Sequence, residues 1–166
     1  MSRNKILIAL NQSELSQKII PSVEQLFPAG ENELILYFVT KPPRAAGFGE
    51  PDLSAGFAAQ PGDQPVKPTL HLIYDSQQRD SIKAHVRSEL LPLTHRLAEA
   101  GYEVSVKVGF SNNPVEAILR YINDCNPALV AMTTRARVGV TRFFFRNIAD
   151  SLSERARIPV LLVHPG

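Results

Sequence analysis

Five short apolar runs limit what this chain can fold into: Ile6–Leu10, Leu34–Val39, Val104–Val108, Ala128–Met132 and Pro159–Val163. Each has the length of a strand and falls far short of a membrane span. Most are continuous rather than alternating, the pattern of strands covered on both faces. Apolar residues recur at helical spacing between them. Leu15, Ile19, Val23 and Leu26 form one stripe, and Ile82, Val86, Leu90, Leu93 and Leu97 a second. Val115, Ile118, Leu119 and Ile122 form a third, and Phe144, Phe145, Ile148 and Leu152 a fourth. Strand and helix alternating to a closing strand predict an α/β fold, an open five-stranded parallel sheet with helices on both faces.

A length of 166 residues suits one domain, residues 1–166, and an apolar content of 44% supports a full core. The net charge of +2 is too small for a general nucleic-acid or membrane-surface binder. With no signal or spanning segment at Ile6–Leu10, the expected location is the cytoplasm. Cys125, the single cysteine, excludes an internal disulfide and a cysteine-cluster metal site.

Local chemistry sets several boundaries. Asn113 before Pro114 reads as an N-cap followed by a proline whose missing N–H costs nothing, and Gly101 reads as a C-cap. Pro21 and Pro92 interrupt their stripes, which predicts a late helix start near Lys18 and a kink at Pro92. Lys41 to Pro68 holds six of the thirteen prolines and four of the nine glycines without a periodic stripe. It is either a solvated insertion without a role or a lid or binding loop that Phe48, Leu53 and Phe57 could anchor.

An open parallel sheet binds ligands at the carboxyl ends of its strands, where strand order reverses. The candidates are Asn11 to Ser13, Val39 to Lys41, Gly109 to Asn113 and Met132 to Thr141. The last stretch joins Thr133, Thr134, Arg135 and Arg137 to the start of a helix, chemistry suited to a phosphate or another small anion. From Ala131 to Arg157, six arginines face Asp150 and Glu154, leaving this segment at +4. The bland alternative is a solvated basic helix. Phe144 and Phe145, between Arg142 and Arg146, belong to the fourth apolar stripe rather than to a stacking platform, which weighs against nucleic acid.

Enzyme signatures are mostly missing. His71, His85, His95 and His164 lack metal-ligand spacing, and there is neither a G-x-S-x-G elbow nor a G-x-G-x-x-G or Walker loop. Cys125 has no evident activating partner and reads as packing, and His164 as a structural or interface residue after the last strand.

Taken together, these segments resemble the universal stress protein family. Lys5–Ser13 is similar to its first strand and turn, and Leu34–Val39 with Lys41-Pro42-Pro43 to its second strand and exit. Asn113–Asp124 with Pro127–Met132 resembles the helix and strand before its nucleotide loop, and Ile158–Val163 its closing strand. The resemblance implies a Rossmann-like sheet of the adenine-nucleotide α-hydrolase type in the order 3-2-1-4-5. It also implies a homodimer through Val160, Leu161, Leu162 and Val163 of the last strand.

ATP-binding members of that family carry Gly-x2-Gly-x9-Gly-Ser/Thr after the fourth strand. Thr133, Ala136, Arg146 and Asn147 stand at its four positions here. Asn11 replaces the family's acidic residue after the first strand, while Val39, beside the expected adenine, is retained. A glycine required for close backbone approach is not freely exchanged for threonine or arginine. The resemblance therefore implies a non-enzymatic stress-response module without a cofactor, binding no ATP in the family's manner and open to another small anionic ligand. Its candidate crevice comprises Asn11, Val39, Met132, Thr133, Thr134, Arg135, Ala136, Arg137, Arg146 and Asn147. The alternative is an ATP- or AMP-binding switch with weak ATPase activity.

Overall fold

The computed structural model describes residues 2–43, 68–134 and 142–164. Its strands are β1 (Asn4–Leu10), β2 (Asn32–Thr40), β3 (Glu103–Phe110), β4 (Leu129–Thr133) and β5 (Val160–Val163). They form one sheet in the order β3-β2-β1-β4-β5, every neighbouring pair parallel. The helices are α1 (Ile20–Leu26), α2 (Pro68–Glu99), α3 (Pro114–Cys125) and α4 (Arg142–Arg155). Both the class and the strand order agree with the sequence reading. Most of the Lys41–Pro68 insertion lies outside the described residues.

Alternate residues of the strands feed two apolar layers. Ile6, Ile8, Leu10, Leu34, Leu36 and Phe38 pack on one face with Ile19, Val23, Val86, Leu90 and Leu97, from the segments around α1 and α2. Leu7, Ala9, Ile35, Tyr37, Val39 and Val130 pack on the other with Val115, Ile118, Ile122 and Leu152 from α3 and α4. β1 lies centrally, and Ile6 to Leu10 are all buried, as their unbroken apolar run requires. Burying each leucine or isoleucine contributes about 1.5–3 kcal/mol relative to leaving it exposed.

Tyr37 reaches from β2 across the edge strand β3. Its ring stacks on Tyr121 of α3, with centroids 4.4 Å apart and planes 12° from parallel. Gly109 makes the space, because a Cβ there would stand 2.2 Å from the Tyr37 hydroxyl oxygen and 2.7 Å from Cζ. Burial raises the Tyr37 phenol above its ordinary pKa, and the same cause raises Tyr121.

The helix boundaries follow local chemistry with one correction. Asn113 Oδ1 accepts from the Glu116 amide at 3.3 Å, with Pro114 opening α3. Gly101 adopts φ of 95°, the left-handed conformation that ends α2 most cheaply. The first helical stripe does not begin as an α-helix near Lys18. Glu14–Ile19 is a 3₁₀ segment, and α1 starts at Ile20. Pro21 occupies the first turn of α1, where its absent N–H leaves no bond unmade. Pro92 lies on the exposed side of α2, which continues through it to Glu99. Arg96 of α2 grips Glu24 of α1 with two hydrogen bonds, 2.9 and 3.1 Å long.

Candidate functional site

From β1 the chain turns towards β2 on one side, while β4 lies on the other. The loops leaving β1 and β4 therefore diverge and open a crevice between them. Its volume is about 590 Å³, within the range of small-molecule sites. Four strand exits converge on it. Asn11, Gln12 and Ser13 come from β1, Val39, Thr40 and Lys41 from β2, Ser111 and Asn112 from β3, and Met132, Thr133 and Thr134 from β4. All four belong to the expected strand-end segments.

The β1 exit is held by its own side chains. Asn11 Oδ1 accepts from the Ser13 amide at 2.8 Å, an Asx turn. The buried Ser16 hydroxyl donates to the Ser13 carbonyl at 2.7 Å and accepts from the Asn11 amide at 3.3 Å. Asn11 brings no negative charge to this wall. Lys41, exposed at the mouth, brings a positive one.

At the β4 exit, the Thr134 amide donates to the Val163 carbonyl at 2.9 Å. The Thr134 hydroxyl is hydrogen-bonded to Nδ1 of His164, the residue after β5. His164, read from the sequence as a structural or interface residue, thus bonds to a residue that lines the crevice.

Of the expected crevice residues, Asn11, Val39, Met132, Thr133 and Thr134 come together. Arg135, Ala136 and Arg137 lie outside the described residues, and Arg146 and Asn147 are placed along the backbone of α4. Leu15, Ser16, Pro114, Ile148 and Ala149 also line the crevice and were not anticipated. Ser16 and Pro114 follow strand exits closely enough for sequence distance to have pointed to them. Ile148 belongs to the fourth apolar stripe, read there as core. Of the six arginines in the basic stretch, Arg155 and Arg157 line a groove between α3 and α4, apart from the crevice.

Cys125 lies at the other end of the sheet, partly buried against the α3 and α4 layer. Burial pushes its thiol above the ordinary pKa, which disfavours the thiolate a nucleophile requires. Among the described residues, no group of three His, Cys, Asp or Glu side chains could hold a metal ion. Among them too, no helix is long and apolar enough to cross a membrane.

The universal stress protein family model matches residues 2–164. No curated protein matches the chain in sequence. Among solved structures, the protein MJ0577, whose biochemical function was assigned from its structure, superposes with a TM-score of 0.65 at 15% identity. That match covers 100% of this chain and 99% of the other. A universal stress protein in complex with cAMP gives a TM-score of 0.60 at 14% identity, covering 100% of both chains. An Arabidopsis thaliana family protein with AMP bound gives 0.56 at 11% identity, covering 98% of this chain and 92% of the other. At such identities these structures speak for the fold, and the match across residues 2–164 speaks for kinship: the chain belongs to the universal stress protein family.

Proposed function

We propose that this protein is a non-enzymatic regulatory module whose crevice takes a small anionic ligand, and that it does not hold ATP in the manner of the family's glycine loop. The observation that carries this reading is the lining of the crevice. Thr133 supplies a hydroxyl, Thr134 a second one already bonded to His164, Lys41 supplies a cation, and Asn11 is neutral where the family resemblance has an acid. Hydroxyl and ammonium donors suit an anion. Threonine at the first glycine position keeps a side chain between backbone and phosphate.

Calorimetric titration with ATP, AMP, cAMP and sulfate tests the reading. The expected result is sulfate or monophosphate binding, with no gain in affinity from the β- and γ-phosphates of ATP. Protein that purifies with ATP bound, seen by native mass spectrometry, overturns it.

The second reading, a nucleotide-binding switch, draws on Val39, which lines the crevice where the family resemblance puts adenine. It also draws on the AMP and cAMP bound by two structural neighbours. Preference for AMP over sulfate in the same titration would favour it.

The working unit we propose is a homodimer through β5. Val160, Leu161, Leu162 and Val163 are all half-buried, and among the described residues β5 pairs on one side only, with β4. An apolar strand with an open backbone edge invites a second copy across a two-fold axis.

A further inference from the structure

Away from the crevice, α3, α4 and the segment entering β5 enclose a second groove of about 760 Å³. Leu119, Ile122, Ala156 and Ile158 give it a smaller apolar share of its lining, and Asn123 and Asn126 line it as well. Its rim is cationic. Arg120 stands on α3, Arg155 ends α4, and Arg157 follows two residues later.

The groove already holds one carboxylate. Glu116 Oε1 accepts from Arg155 Nη1 at 2.7 Å. The hydrogen bond and charge of Arg155, aided by the charge of Arg120, hold the Glu116 carboxyl below its usual pKa. Among the described residues, neither Arg120 nor Arg157 makes an ion pair. Asp124 follows Arg120 by one helical turn and is not paired with it. Three arginines and one carboxylate thus line the same groove.

We propose that this groove docks an acidic peptide segment of a protein partner. Its carboxylates take Arg120 and Arg157 as Glu116 takes Arg155, and an apolar side chain between them covers Leu119 and Ile158. Guanidinium groups match carboxylates in a planar fork, so this rim selects charge and geometry together. Leu119 and Ile158, both half-buried, add apolar contact that a peptide side chain uses and an inorganic anion does not. Stacked nucleic-acid bases are disfavoured because the aromatic residue of α3, Tyr121, already has its ring stacked on Tyr37. This inference does not depend on what the crevice binds.

The test is fluorescence anisotropy of the full chain with a labelled Glu/Asp-rich peptide carrying two leucines. A peptide with lysines in place of the acids serves as control. The acidic peptide is expected to bind, weakening at least tenfold from low to high salt. Arg120→Glu with Arg157→Glu should weaken it at least tenfold, whereas Lys18→Glu on the 3₁₀ segment should not. Both arginines are exposed and outside any ion pair among the described residues, so the double variant is expected to keep its fold, checked by an unchanged Tm. Amide shifts in NMR should move in α3 and around Ala156–Ile158, and not at Val39 or Thr133.

No acidic-peptide binding at low salt overturns the proposal, as does binding that the double variant leaves intact. Displacement by inorganic phosphate at equal charge concentration would assign the groove to free anions instead. Displacement by an RNA oligonucleotide would assign it to nucleic acid. Either result overturns the peptide reading.

Discussion

The β3 edge of the sheet carries charge, and the β5 edge carries none. β3 spans Glu103–Phe110 and exposes Glu103 and Lys107 to solvent. Arg3 reaches Glu103 at 3.5 Å, and the Arg79 guanidinium sits 5.2 Å from the centre of the Phe110 ring. β5 is the shorter strand, Val160–Val163, and offers valine and leucine alone. Charged side chains on an open edge discourage a further strand, while an uncharged apolar edge accepts one. The same sheet thus has one margin guarded against association and one suited to it.

The largest expected effect lies at β5. Leu162→Lys should weaken self-association about 100-fold or more, because pairing would then bury an uncompensated charge. Light scattering coupled to gel filtration reads this directly. A wild-type chain that remains monomeric at micromolar concentration breaks the comparison, since the uncharged edge would then be as inert as the charged one.

At β3, Gly109→Ala should cost about 1–3 kcal/mol by forcing the Tyr37 ring from its place. Hydrogen exchange should show β3 amides opening faster while β5 amides keep their protection. Unchanged exchange at β3 would mean that the Tyr37–Tyr121 stack does not hold this edge.

A pH series sharpens the same point. Burial raises the pKa of Tyr37 and of Tyr121, so folding favours the neutral phenols. That contribution is fully present below the ordinary tyrosine pKa of about 10 and is lost as pH rises through the higher folded values. Urea midpoints should therefore fall on the alkaline side, and Tyr37→Phe should flatten the fall. An unaltered slope in that variant would place the alkaline sensitivity elsewhere. The smallest effect is expected for Arg79→Ala, about 0.5–1 kcal/mol from the lost contact with Phe110, read as a small shift in Tm.

Much of the fold was legible because its signals are local. A continuous run such as Ile6–Leu10 and a capped start such as Asn113-Pro114 each state their structure within a few residues. The site was legible at the level of strand ends, since a parallel sheet forces its exits to one side, and Asn11, Val39, Met132, Thr133 and Thr134 met as expected. The rest depends on distant partners. Gly109 reads as an ordinary glycine until the ring of Tyr37 lies against it. His164 acquires its partner from Thr134, 30 residues earlier, just after the neighbouring strand β4. Charge counting along the chain does not show that packing sets Arg155 and Arg157 beside Arg120 of α3. The 3₁₀ segment before α1 escaped notice because its apolar spacing does not distinguish it from an α-helix.

The strand order has a consequence for how this chain comes into being on the ribosome. β1 pairs on one side with β2, which follows closely, and on the other with β4, which begins at Leu129. During synthesis at roughly 5–20 residues per second, β1 waits on the order of ten seconds for its second neighbour. Throughout that interval a strand with five successive residues destined for the core presents a bare backbone edge to everything around it. The nascent chain is therefore most exposed to aggregation before β4 emerges, and a chaperone that shields Ile6–Leu10 would act in that window.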